Sequence, residues 1–178
     1  KKDGTFYANL NNGPAINGTV RVQKEELAIT VSSNDAGAVL STLGLFGNAR
    51  KGELKIDLVK TDSMSGYHGE LVVKNTRVIN APVLAELLSA VSVIGLLEQM
   101  DGQGLAFSES KASFSFDQDI IRIHDSSAIG ASMGLTMIGY FDPNNGAIDA
   151  NGVITPFYAV NGIFEQSGLF AGLLGKKE

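Results

Sequence analysis

Hydrophobic and polar residues alternate with a period of two along most of this chain. That is the spacing of a strand with one buried face and one wet face. The clearest run is 53–58, where Leu54, Ile56 and Leu58 face one way and Glu53, Lys55 and Asp57 the other. Leu71 and Val73 alternate with Glu70, Val72 and Lys74. Ala112, Phe114 and Phe116 alternate with Lys111, Ser113 and Ser115, and Ile121 and Ile123 with Arg122 and His124. Val20 and Val22 flank Arg21, and Leu27, Ile29 and Val31 form a further row. Turn-forming clusters separate these runs at Asn12-Gly13, Lys24-Glu25, Asp117-Gln118-Asp119 and Asp142-Pro143-Asn144-Asn145-Gly146. Strands this close in sequence predict an antiparallel meander. Residues 132–141 differ. Met133, Leu135 and Met137 alternate with Gly134, Thr136 and Ile138, so both faces are apolar. This predicts a central strand, with a bend at Gly139.

Two segments carry helical spacing. The first runs from Asp35 to Leu43 after Ser32-Ser33-Asn34, which supplies capping side chains; Val39, Leu40 and Leu43 share a face. The second starts at Asn80, with Pro82 in its first turn. Its stripe is Leu84, Leu87, Leu88 and Val91, breaking near Gly95 and ending by Gly102. The expected fold class is mainly β with two helices, α+β. No domain boundary or long linker interrupts residues 1–178, which read as a single domain. Two helices cover only part of such a sheet. The remaining apolar rows must curl into a filled barrel, meet a partner or hold an apolar ligand.

Composition narrows this picture. The net charge is −5, from 14 Lys and Arg against 19 Asp and Glu. Basic residues are scattered, with pairs only at 1–2, 50–51 and 176–177. These read as solvated ends and turns, and no nucleic-acid partner is expected. Charged residues make up 19% of the chain and hydrophobic residues 44%, so the apolar excess must face something. There is no cysteine, which excludes disulfides, thiolate chemistry and cysteine-ligated zinc. The apolar run Ala81 to Leu97 is interrupted by Glu86 and falls short of the roughly 20 residues of a spanning helix. A core or interfacial helix is expected there. The first residues, Lys-Lys-Asp-Gly, and the last, Gly-Lys-Lys-Glu, read as ends of a fragment of a longer chain, and the apolar, Gly-punctuated run 157–175 reads as a short helix or as a segment completed by the rest of that chain.

Catalytic patterns are weak. His124-Asp125 resembles a metal-ligand pair, but nothing else supplies a second cluster at ligand spacing. Both His68 and His124 read as surface residues, His124 on the polar side of its strand. Ser65-Gly66 and Ser167-Gly168 are isolated pairs, not a nucleophile elbow. Gly102-Gln103-Gly104 precedes a strand rather than a helix, and no glycine loop leads into Lys-Ser or Lys-Thr. The turn 142–149 lacks the closing Glu of a calcium loop. Asp117 and Asp119 sit across a tight turn, where solvated carboxylates are ordinary. Neither an enzyme nor a cofactor is expected: no catalytic and no metal residues are predicted.

A likeness then bears on function. The run begins at Gly69-Glu70-Leu71, Asn75 and Val78, and passes through Asn80-Ala81-Pro82-Val83-Leu84, Leu87-Leu88-Ser89 and Ile94-Gly95-Leu96-Leu97. It continues through Gly102, Gly104-Leu105, Phe107, Ala112-Ser113-Phe114, Ile121-Arg122-Ile123 and Gly130-Ala131-Ser132-Met133-Gly134-Leu135. It closes with Gly139, Asp142, Gly146, Ile148-Asp149, Gly152, Thr155-Pro156 and Asn161. This order resembles the AsmA-like C-terminal domain of the AsmA, YhdP and TamB group of bacterial envelope proteins. One departure is Gln166-Ser167-Gly168, where that family often has a Pro-rich apolar loop. The resemblance implies a curved antiparallel sheet forming a groove or half-barrel with an apolar lining. It also implies a periplasmic location, tethered to the inner membrane through a segment outside these residues. The implied function is non-enzymatic lipid transfer that supports phospholipid transport and outer-membrane biogenesis. Its partners are phospholipid or another acyl lipid, the rest of the chain and envelope proteins. The positions expected to floor such a groove are Leu54, Ile56, Leu58, Leu71, Val73, Phe114, Phe116, Ile121, Ile123, Leu135 and Met137. The rival expectation is an interaction module that pairs through its sheet edges and binds no lipid.

Overall fold

The computed structural model describes residues 2–11, 13–23, 26–61, 66–80, 86, 103–117, 119–131 and 133–156. These form one antiparallel sheet of ten strands: β1 (Lys2–Asn9), β2 (Ala15–Gln23), β3 (Glu26–Ser33), β4 (Ala49–Arg50), β5 (Glu53–Thr61), β6 (Tyr67–Val78), β7 (Leu105–Asp117), β8 (Ile120–Gly130), β9 (Met133–Asp142) and β10 (Ala147–Pro156). Spatial order follows chain order, except that the short β4 pairs with the end of β6, in line with β5. The expected meander is what forms. The sheet does not close, because β1 and β10 lie at opposite ends of the strand order. A filled barrel is therefore excluded among the described residues.

Hairpin turns follow the sequence signals. Gly146 N donates to Asp142 O at 2.9 Å, and Asn144 N donates to the Asp142 carboxylate, closing the β9–β10 turn. The segment 142–149 is thus a hairpin, with Asp142 used as a turn acceptor. The expected central strand is in fact β9, next to last in the sheet, with Ile138 exposed on its far face. Apolar residues on both faces do not require a central position, because single apolar side chains are common on protein surfaces. Gly139 does mark an irregularity. The β8–β9 register breaks between Ile123 and Ser127, and a Cβ on Gly139 would meet Asp149 O at 2.2 Å.

Among the described residues there is one helix, α1 (Ala36–Thr42), between β3 and β4. Asp35 caps it, accepting from Ala38 N at 3.0 Å. Two further amides of its first turn, on Ala36 and Gly37, donate to the carbonyls of Gly52 and Lys51. The helix is tied to the β4–β5 junction through amides that have no partner within it. It stops one residue sooner than the sequence predicts, with Gly44 at φ 69° supplying the left-handed residue that ends many helices. Leu43 therefore leaves the buried stripe and is 48% exposed. The helix expected from Asn80 lies outside the described residues, as do the run 157–175 and the turn at Lys24-Glu25.

The alternation slips phase at four places. Buried positions on β6 are odd through Gly69 and Val73, then even at Thr76 and Val78, with Lys74 and Asn75 both exposed between them. The same change occurs at Arg50-Lys51, Ser108-Glu109 and His124-Asp125. Lys51 and Asn75 take positive φ, 58° and 55°. Register shifts mark the other two, between Phe107 and Glu109 and beside Phe114. The first three lie at one level across adjoining strands. Each bulge turns two successive polar residues outward and keeps the apolar rows on one face.

Candidate functional site

Strand pairing decides which side chains share a face, because directly opposed residues point the same way. Leu54 opposes Val73. Ile56 opposes Leu71, which opposes Ala112. Leu58, Gly69, Phe114, Ile123 and Gly139 form one row. Tyr67, Phe116, Ile121, Phe141 and Ile148 form the next. Leu135 opposes Ala128, which opposes Ser110 and, through it, Val73. Met137 lies between Leu135 and Gly139 on the same side of β9. All eleven positions expected to floor a groove therefore share one face of the sheet.

Among the described residues, that face is covered at one end only. Ala36 and Val39 of α1 pack on Leu54 and Val73, with Leu10, Ile16, Leu40, Ile56 and Leu71 around them. Leu54 and Val73 are 2% and 4% exposed, so they are core. Ile56, Leu58, Leu71, Phe114, Ile121, Ile123, Leu135 and Met137 are only half-buried. Exposure reaches 37% at Phe116, in the row farthest from α1. The apolar face also runs on to both sheet edges. Phe6, Gly18 and Val31 extend the Ile56 row to β1, and Phe141 and Ile148 extend the Phe116 row to β10. These residues were not among the expected floor. The signal was available for β3, where Ile29 and Val31 alternate with Ala28 and Thr30. Two rings cover glycines on this face: Phe6 lies over Gly18 and Phe114 over Gly69.

The opposite face is polar across β3 to β7, and carries exposed Ile129, Ile138, Tyr140 and Val153 on β8 to β10. Thr30, Asp57, Glu70, Ser113 and Asp125 form one of its rows, and Lys55, Val72, Lys111 and Ser127 another. Thr30 and Lys55 donate to the two oxygens of Asp57, each at 2.6 Å. Burial pushes the Asp57 carboxyl up, but the bonds from Lys55 and Thr30 outweigh it and hold it below the usual carboxylate range. The bond from Lys111 lowers Glu109 in the same way. A shallow open depression at Thr5, Tyr7, Asn17, Thr19 and Thr30 gathers hydroxyls and an amide but no carboxylate, imidazole or amine.

His124 lies on this polar face, as its alternation predicts. It sits in the β8 bulge with Nε2 2.9 Å from Ser115 Oγ, and its ring stacks near that of His68, centroids 6.3 Å apart. Both rings are exposed. Among the described residues no three His, Asp or Glu side chains come together to hold a metal ion. Asp117 and Asp119 flank the β7–β8 turn, with Asp119 at φ 65°. No helix among the described residues is long and apolar enough to cross a membrane. No family model, curated protein or solved structure matches the chain.

Proposed function

We propose that this chain is a non-enzymatic, lipid-binding module of the AsmA-like type, working in phospholipid transport and outer-membrane biogenesis in the periplasm. One observation carries the reading: eleven apolar side chains share a single face that α1 covers only at the Leu54–Val73 end. Acyl chains supply the matching chemistry. Each CH₂ removed from water is worth about 0.8 kcal/mol, and an apolar floor asks for no directional bond, so a chain can slide along it. The charge pairs Lys55–Asp57 and Lys111–Glu109 lie on the far face, while Lys60 stands at the Tyr67 end of the apolar face, its Nζ 5.3 Å over that ring. In this reading the sheet curves into a groove or half-barrel, the segment from Asn80 forms a second covering helix, and a longer, membrane-anchored chain continues the floor.

The test is native mass spectrometry of the gently purified chain, with organic extraction of what accompanies it. Near-stoichiometric phospholipid is expected. Leu58→Lys with Ile123→Lys should remove it while circular dichroism stays that of a β-sheet, because both positions are half-buried. Retention of lipid by this folded double variant sinks the proposal. A second reading is favoured by the two edges. Strands β1 and β10 are exposed almost throughout, and their outer backbone groups pair with no described strand. An apo mass together with a dimer broken by Pro at Thr5 or Ala150 would support edge pairing instead.

A further inference from the structure

Fourteen residues between Asp35 and Arg50 carry no charge, and they include the loop Leu43-Gly44-Leu45-Phe46-Gly47. Leu43 and Phe46 on this loop are 48% and 40% exposed. The loop is nonetheless fixed. Leu45 N and Phe46 N both donate to Leu40 O, Arg50 Nη1 donates to Gly47 O, and Asn48 Nδ2 donates to Ile79 O and Asn80 O. The backbone therefore holds two large apolar side chains about half in water. Cations flank them. Arg50 and Arg77 oppose each other in the β4–β6 pair, and Lys51 follows with φ 58°. Like charges directly opposed are unfavourable unless a counter-charge arrives. Among the described residues no carboxylate pairs with Arg50, Lys51 or Arg77, whose guanidinium donates to Gln103 O instead. This local positive charge stands out in a chain of net charge −5.

We infer that this tip, Leu43 and Phe46 with Arg50, Lys51 and Arg77, docks on the surface of an anionic phospholipid bilayer. Apolar side chains raised beside cations match the acyl boundary and the anionic headgroups of such a surface. The tip lies at the end of the sheet that α1 covers, so it is separate from the open part of the apolar face. The inference goes beyond lipid binding by that face and stands without it. Its content is where the sheet meets a membrane.

The experiment is co-sedimentation of the whole chain with vesicles of phosphatidylcholine alone and of phosphatidylcholine with one-third phosphatidylglycerol. Binding to the anionic vesicles is expected to be at least about fivefold tighter and to weaken in high salt, since each cation near such a surface contributes about that factor. Leu43→Ser with Phe46→Ser should weaken it about tenfold or more. Lys51→Asn with Arg77→Gln should remove most of the preference for the anionic vesicles; Asn tolerates the left-handed backbone at 51. Leu58→Lys with Ile123→Lys should leave docking intact, which separates this inference from lipid uptake. The inference is overturned if the folded tip variants bind like the parent, or if the parent does not distinguish the two vesicles. It is also overturned if sedimentation velocity finds a dimer that Leu43→Ser with Phe46→Ser dissolves while vesicles bind nothing. The loop is then a contact between copies of the chain.

Discussion

Gly52 holds the junction between β4 and β5 at φ 93°, and a Cβ there would lie 2.7 Å from Lys74 O. Two costs coincide: a backbone region that side chains avoid, and a clash with backbone that cannot swing aside. The Gly52 carbonyl also receives Ala36 N and the neighbouring Lys51 carbonyl receives Gly37 N, so movement at this position reaches α1. Gly52→Ala is expected to lower stability by about 1–3 kcal/mol, read as a fall in the urea midpoint. Lys51 is the contrasting neighbour. It too is left-handed, at φ 58°, but exposed, so Lys51→Asn should hold the midpoint or raise it slightly. An unchanged midpoint in Gly52→Ala would mean that the junction relaxes freely and that α1 is held by its apolar face alone.

Helix α1 and the sheet differ in what they bury, and their substitutions should differ accordingly. Leu54 lies under Ala36 and Val39 at 2% exposure, whereas Phe116 stands in the uncovered row at 37%. Leu54→Ala leaves a cavity between helix and sheet and should cost about 2–4 kcal/mol in urea denaturation. Phe116→Ala removes a larger side chain yet should cost only about 1 kcal/mol, because much of its ring is already in water. Equal losses at the two sites would indicate that the Phe116 row is covered after all. The same contrast explains what was legible in the sequence. Leu54, Ile56, Leu58, Leu71 and Val73 alternate without interruption, so pattern alone assigned their face correctly. Short turns made the strand order legible as well. Pattern did not distinguish covered from open positions, because Leu54 and Phe116 obey the same alternation. The bulges were also hidden. Lys74-Asn75 and His124-Asp125 read as polar residues at strand positions, and only pairing reveals that they shift the phase. Leu43 fitted the helical stripe but lies past the residue at which Gly44 ends the helix.

At the scale of the whole molecule, the described residues leave the amphipathic sheet open on one side. Its other face carries pairs such as Lys55–Asp57 and Lys111–Glu109, at 2.6 Å each. Among the described residues, its apolar face is covered only where α1 lies on it. The expected floor crosses β5 to β9, four strand spacings, or about 19 Å at the usual separation of neighbouring strands. Lys60 is a charge at the Tyr67 end of this surface, but the rows between Ile56 and Phe116 offer an acyl chain apolar contact, so affinity should follow acyl length. Binding of saturated fatty acids of increasing length, followed by displacement of a polarity-sensitive dye, should then tighten about fourfold per added CH₂, the equivalent of about 0.8 kcal/mol. The gain should level off once the acyl chain outgrows the open rows between Ile56 and Phe116, and Leu58→Lys with Ile123→Lys should flatten the series. A series that stays flat in the parent chain, or that depends on headgroup and not on length, would argue that the open face is an assembly surface, completed by another protein's apolar side chains rather than by lipid.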